Sequence, residues 1–230
     1  MCGRLVGGHM TQAQMLAIIE GFLYGTPRID PDAPPLVEGY NIKPTQQVGM
    51  IFDQDGDPVL STARWWLVPS WHKGSLKDWK ATTFNAKIET AREKPTFSRP
   101  WQNGRCLIPA LGYYEWTGTK GKKQPWYITV ERNAPVMFLA GLQSTRPDGL
   151  RSCTILTRAA DADLTRLHPR MPVILTPEEC LSWLQRTEDD ASVITKYGTG
   201  WSGRFRAHPV QRFGIKDDGP ELIEPEGFAV

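Results

Sequence analysis

Several features are scarce or missing in this chain, and each absence excludes a class of protein. No apolar run approaches the roughly 18 residues that a membrane-spanning helix requires. The opening Met1-Cys-Gly-Arg-Leu-Val-Gly-Gly-His-Met10 has no charged stretch followed by an apolar core, so no secretory signal is read there. Only four cysteines occur, Cys2, Cys106, Cys153 and Cys180. None belongs to a Cys-x-x-Cys pair, and none stands at zinc-finger spacing from a histidine. No metal site, cofactor or disulfide framework is therefore expected, and reduced thiols in a cytoplasm are. Internal repeats, low-complexity tracts and linker-like stretches are also missing, so residues 1–230 read as one domain. A strong net charge is missing too: the formal total is +2. No heptad or self-complementary patch stands out, and a monomer is expected.

The charge total conceals an uneven distribution. Residues 1–61 carry 3 basic and 7 acidic side chains, residues 62–132 carry 13 and 5, and residues 133–230 carry 11 and 13. The basic middle also holds seven of the nine tryptophans: Trp65, Trp66, Trp71, Trp79, Trp101, Trp116 and Trp126. Interleaved cations and aromatic rings suit single-stranded nucleic acid, where Lys and Arg follow the phosphates and rings stack on bases. The competing reading is a core of tryptophans beneath a solvated basic face.

Periodicity predicts a helix capped by Thr11 and running to about Tyr24, with Met15, Ile18, Ile19 and Phe22 on one face. Residues 25–35, rich in Pro and Asp, read as a loop. Residues 48–52 and 58–66 form candidate strands about an Asp-Gln-Asp-Gly-Asp turn. The composition of residues 85–94 suggests a helix. Candidate strands follow at 105–108, 112–116, 126–131, 136–142 and 152–157. Thr176-Pro-Glu-Glu179 is a capping box with Pro at the first helical position, and a short helix is predicted near 188–196. Short strands outnumber helices without alternating with them. The expectation is an α+β domain built on a largely antiparallel sheet, with a few peripheral helices.

Four places offer chemistry. Removal of Met1 would leave Cys2 with a free α-amine beside its thiol. Their reference pKa values, about 7.7–8.0 and about 8.5, keep both partly nucleophilic near neutrality. Such an aminothiol condenses with an aldehyde to an imine, which the thiol closes to a thiazolidine. The same terminus also suits an N-terminal-nucleophile hydrolase, with the amine as base for the thiol. In Leu167-His-Pro-Arg-Met-Pro172, prolines frame a histidine able to shuttle protons and an arginine able to grip phosphate. Glu115, between aromatics at the end of an apolar strand, is either desolvated and functional or paired with a cation. Trp116 beside it either stacks on a ligand or closes the core. Asn85 either caps a following helix or presents its amide to a reacting group, with Lys87 and Glu89 available for phosphate contact and local pairing.

Read in order, these blocks resemble the SOS-response-associated peptidase-like (SRAP) family of abasic-site-processing proteins. The matching pieces are Cys2-Gly-Arg4, Tyr40-Asn-Ile-Lys-Pro-Thr45, Arg64-Trp-Trp-Leu-Val-Pro-Ser-Trp71, Asn85-Ala-Lys-Ile-Glu-Thr90, Arg105-Cys-Leu-Ile-Pro109, Gly112-Tyr-Tyr-Glu-Trp116, Ala140-Gly-Leu142 and His168-Pro-Arg-Met-Pro172. The resemblance implies a sheet that bifurcates into a pseudo-barrel. It also implies binding to abasic sites in single-stranded DNA and a covalent crosslink through the N-terminal cysteine, with associated lyase activity. By resemblance, Cys2 is the nucleophile, Asn85 positions the reacting end, Glu115 transfers protons and His168 assists ring opening and crosslink reversal. Arg4, Pro44, Thr45, Trp66, Lys87, Trp116 and Arg170 fall where the family lines its DNA channel. Two positions depart: Lys87 stands where the family has Arg, losing the bidentate fork, and Trp66 stands where it has Gly. Two other functions stay open on the residues alone, a thiol hydrolase acting on amides and a non-catalytic single-strand-binding module.

Overall fold

The computed structural model describes residues 2–23, 26–131, 134–199 and 203–227. Strand β1 (Leu5–Val6) and helix α1 (Gln12–Phe22) come first, then the short β2 (Arg28–Ile29) and the hairpin β3 (Gln47–Gln54) and β4 (Asp57–Trp65). Strand β5 (Asn85–Lys87), a 3-10 turn at Ala91–Glu93 and helix α2 (Ser98–Asn103) follow. A run of strands comes next: β6 (Arg105–Ala110), β7 (Gly112–Thr117), β8 (Gln124–Val130), β9 (Met137–Thr145) and β10 (Arg151–Ala159). The last part holds α3 (Ala162–Thr165), β11 (Arg170–Pro172), β12 (Ile174–Leu175), α4 (Pro177–Gln185), α5 (Asp190–Thr199) and β13 (Phe205–Pro209). The α+β class expected above is what the chain adopts.

Local chemistry accounts for the element ends. Thr11 caps α1 by accepting from the Gln14 N–H while the Gln14 side chain returns to the Thr11 N–H. Thr176 and Glu179 make the same reciprocal pair at α4, with Pro177 in the first turn. The predicted end of the first helix, Tyr24, lies outside the described residues. In the β3–β4 hairpin Gln54 faces Asp57, leaving a two-residue loop. Asp55 and Gly56 both have positive φ (59° and 91°) there, the geometry a tight right-twisting hairpin demands.

Strands β1, β7, β8 and β13 form one antiparallel sheet. The larger sheet runs β11-β10-β4-β3-β6-β9-β12, and a further β9–β10 pairing closes β10, β4, β3, β6 and β9 into a ring. Strand β10 is where the sheet forks. On one edge its first half pairs in parallel with β4 and its second half with β5. On the other edge β9 gives way to β11. One hydrophobic cluster fills the space around Trp65, Ile108, Tyr113, Leu139 and Cys153, and includes Cys2. Cys106, Cys153 and Cys180 are buried free thiols. At Gly112 an added Cβ would lie 2.3 Å from the Tyr127 ring and 2.7 Å from the Ile128 carbonyl, so only glycine lets β7 approach β8 there.

Two expectations are corrected. Residues 85–94 are not a helix. Asn85–Lys87 is a strand whose flanks bond to β10, Ile155 N–H to Phe84 O at 3.1 Å and Ile88 N–H to Thr157 O at 2.9 Å. A ladder position beside a buried strand outweighs local helix propensity, and Asn85 therefore caps no helix. The loop over 25–35 contains β2, which pairs in parallel with Val59 and Leu60 of β4.

Candidate active site around Cys2

The residues leading into β1 lie along β7. Leu5 faces Tyr113, and the Tyr114 N–H donates to the Arg4 carbonyl at 3.0 Å. This brings Cys2 beneath the sheet, where it is 0 % exposed. Its carbonyl accepts a hydrogen bond from Asn85 Nδ2 at 2.8 Å, joining residues 83 apart in sequence. The Asn85 Oδ1 is buried and has no hydrogen-bond partner among the described residues. Beside Cys2, this leaves one buried acceptor with unused hydrogen-bonding capacity.

Glu115 is 4 % exposed and stands two residues beyond Tyr113, on the same face of β7. Burial pushes the Cys2 thiol well above its ordinary range, and the nearby Glu115 charge pushes it the same way. The thiol is thus held protonated at neutrality, and its Sγ lies 4.0 Å from the Arg4 carbonyl. Burial likewise raises the Tyr113 hydroxyl, with Cys2 and Glu115 adding to the shift. Tyr113 was not among the residues singled out from sequence, although its i−2 spacing from Glu115 signals a shared face. Arg158 and Asp161 were missed as well. Arg158, 2 % exposed, grips Asp161 bidentately at 2.6 Å for each bond, and its charge opposes the Tyr113 shift.

The cations expected along a channel fall into three settings. The Arg4 guanidinium donates to Asn41 Oδ1 and stands 5.6 Å from the Trp116 ring centroid. Asn41, also missed, is buried and ties this corner to the C-terminal segment by donating to the Gly214 and Asp217 carbonyls at 3.1 and 2.7 Å. Lys87 is exposed on β5, two residues from Asn85 and on its face. Arg170 is held in a bidentate pair with Glu89 at 2.6 and 2.8 Å and donates to the Thr157 carbonyl. The local pairing expected of Glu89 is this long-range one. Against its burial, the Arg170 hydrogen bonds keep the Glu89 carboxyl below its ordinary range. His168 Nδ1 lies 3.0 Å from both the N–H and the carbonyl oxygen of Arg170, so one ring nitrogen is committed to backbone.

Thr45 follows Pro44 in a turn before β3 and has φ 81°, a strained value for a β-branched residue. Its N–H donates to the Trp65 carbonyl at 2.8 Å and its carbonyl accepts from Arg64 Nη1 at 2.9 Å. Trp66 donates its indole N–H to the Ala81 carbonyl and packs on Phe84. Among the described residues no group of three or more His, Cys, Asp or Glu side chains is placed to hold a metal ion, and no helix is long and apolar enough to cross a membrane. A cavity of about 360 Å³ between α1, β9 and α4 is lined by none of Cys2, Asn85, Glu115 and His168, nor by any residue expected along the channel.

Fold and site define an α+β protein in which the cysteine at position 2 is buried against an asparagine amide and beside a carboxylate. The chain belongs to the SRAP family, SOS response associated peptidase, whose sequence model matches residues 1–213. It is 31 % identical to the abasic site processing protein YedK of Escherichia coli over 98 % of this chain and 100 % of that protein. It is 33 % identical to the abasic site processing protein YoqW of Bacillus subtilis over 80 % of this chain and 85 % of the relative. Among solved structures, a Bacteroides thetaiotaomicron protein superposes with a TM-score of 0.77 at 23 % identity, covering 97 % of this chain and 99 % of that one.

Proposed function

We propose that the protein captures abasic sites in single-stranded DNA, as a monomer in the cytoplasm, and becomes covalently joined to them through Cys2. Met1 is removed first, so that the Cys2 nitrogen becomes an amine. The abasic sugar is mostly a closed hemiacetal. Glu115 and His168 move the protons that open it to the aldehyde. The amine adds to the aldehyde carbon, water leaves, and an imine forms. The thiol then adds across the imine, its proton passing to nitrogen, and the ring closes as a thiazolidine. An imine that persists before closure loses a sugar proton and the 3′ phosphate, which is the weak lyase activity expected.

The observation that carries this reading is the 2.8 Å bond from Asn85 to the Cys2 carbonyl. It fixes the residue whose nitrogen and sulfur must both reach one carbon, and Oδ1 remains free to accept from the reacting amine or sugar hydroxyl. Holding the thiol protonated suits the sequence of steps, because the amine attacks first. Arg4 beside Trp116, and Lys87 on the Asn85 face, supply cation and ring contacts for phosphates and bases. Arg170 joins them by exchanging Glu89 for a phosphate. The names of the two relatives above, both abasic site processing proteins, support the same substrate. The test is a denaturing gel with an oligonucleotide whose single uracil has been excised. Wild type is expected to give a slowly migrating adduct and Cys2→Ala none; an adduct that persists in Cys2→Ala overturns the assignment.

A further inference from the structure

Three consecutive residues grip the irregular segment that delivers Asn85. Trp65 donates from Nε1 to the Phe84 carbonyl at 2.8 Å. That carbonyl also accepts from the Ile155 N–H at 3.1 Å, so both its lone pairs are used. The Leu67 N–H donates to the Thr83 carbonyl at 3.3 Å, and Thr83 Oγ1 returns a bond to the Leu67 carbonyl at 2.6 Å. Between them, Trp66 donates its N–H to the Ala81 carbonyl at 3.0 Å and lays its ring on Phe84, with centroids 5.4 Å apart at 44°. Residues 79–84 have no helix or strand of their own, so these contacts are what order the approach to β5. Phe84 is followed directly by Asn85, whose amide reaches Cys2.

A tryptophan on a nucleic-acid face invites the reading that it stacks on a base. The ring of Trp66 already has a partner in Phe84, and its one donor is committed to backbone. We infer that Trp66 is a positioning residue, holding Phe84 so that the Asn85 amide meets the Cys2 carbonyl, and that it is not a base-stacking platform. The inference rests on the crosslinking reaction proposed above. Its physical basis is that reacting groups displaced by about 1 Å lose up to about 100-fold in rate without any change in how substrate is held.

The test separates rate from affinity. Adduct formation is followed over time on denaturing gels at saturating abasic oligonucleotide. Affinity is read by fluorescence anisotropy with an oligonucleotide carrying a tetrahydrofuran site, which has no aldehyde. Trp66→Ala is expected to slow the saturated rate by about 10-fold or more, with affinity within about twofold of wild type. Trp66→Phe, which keeps a ring on Phe84, is expected to recover the rate to within about threefold. In an Asn85→Ala background Trp66→Ala is expected to add less than about twofold, because residues acting through one contact are not additive. Should Trp66→Ala melt below the assay temperature, Trp66→Leu keeps more apolar bulk than Ala, loses ring and donor, and carries the same expectation.

Weakened affinity with an unchanged saturated rate overturns the inference in favour of base stacking. So does a Trp66→Phe variant as slow as Trp66→Ala, or a fully additive double variant. A wild-type protein that forms no adduct at all overturns the proposed reaction itself. A wild-type adduct with an unimpaired Trp66→Ala overturns only the role of Trp66.

Discussion

Replacing Asn85 by Ala tests the centre with the least disturbance to the fold. The backbone of Asn85 sits in the ladder with Ile155, and Ala occupies that ladder as well. Two things are lost. One is the 2.8 Å bond that fixes the Cys2 carbonyl. The other is the buried Oδ1 acceptor that has no partner among the described residues. A neutral hydrogen bond contributes about 1 kcal/mol net, and two such contributions sum to about 2 kcal/mol. At 1.36 kcal/mol per decade, that is about a 30-fold slower crosslink. The assay is a time course on denaturing gels at saturating abasic oligonucleotide, with thermal unfolding as control. The melting temperature should fall by only a few degrees, since about 1 kcal/mol shifts a domain of this size by about 2–4 °C. A rate within about twofold of wild type would refute the reasoning and make Asn85 a ladder residue that only happens to touch Cys2.

Glu115→Gln keeps the shape of the buried side chain and removes its capacity to transfer a proton, so the crosslinking rate should drop by about 100-fold or more; a normal rate on the same gel moves proton transfer elsewhere. Cys2→Ser retains the amine after Met1 removal, so an imine should be trapped by borohydride while no stable adduct forms without it. Gly112→Ala forces a Cβ to within 2.3 Å of the Tyr127 ring, and overpacking of this kind should cost about 1–3 kcal/mol, visible as a melting temperature lower by several degrees. Glu89 has a lowered folded pKa, so its stabilisation is present above the ordinary carboxyl range and lost as pH falls through the folded value. Wild type should therefore lose melting temperature more steeply than Glu89→Gln below that range, and parallel pH profiles would contradict the pairing.

Much of this fold is legible in the chain. The cap at Thr11 and the capping box at Thr176 mark the starts of α1 and α4, and the apolar stretches mark β3, β4 and β6 to β10, because these features depend on neighbours in sequence. The segment 85–94 is the instructive failure. Asn-Ala-Lys has no strand character of its own and becomes a strand because Ile155–Thr157 offers a free edge, a fact about residues 70 positions away. The site divides in the same way. Cys2, Asn85 and Glu115 stand out as motifs, but their convergence depends on the β1–β7 register and the fork in β10. Tyr113 lies inside the Gly112–Trp116 block, but its place beside Cys2 shows only when the strands are assembled; Arg158 and Asp161 carry no motif beyond a polar group inside a buried strand or at i,i+3 from one. Arg170 looks like a bare phosphate grip in sequence; the structure gives it Glu89 as a resident partner. Trp66 shows the same limit, since its partners Ala81 and Phe84 lie in a segment with no periodic signal.

The proposed function turns on one linkage, from the nitrogen and sulfur of Cys2 to the C1′ carbon of an abasic sugar. The direct measurement is intact mass spectrometry of the protein after incubation with a single-stranded oligonucleotide carrying one abasic site, followed by proteolysis to locate the link. The expected species has the mass of the protein without Met1 plus the oligonucleotide minus one water, with the link on residue 2. No such species, or a link mapped to a lysine while residue 2 is unmodified, would contradict it.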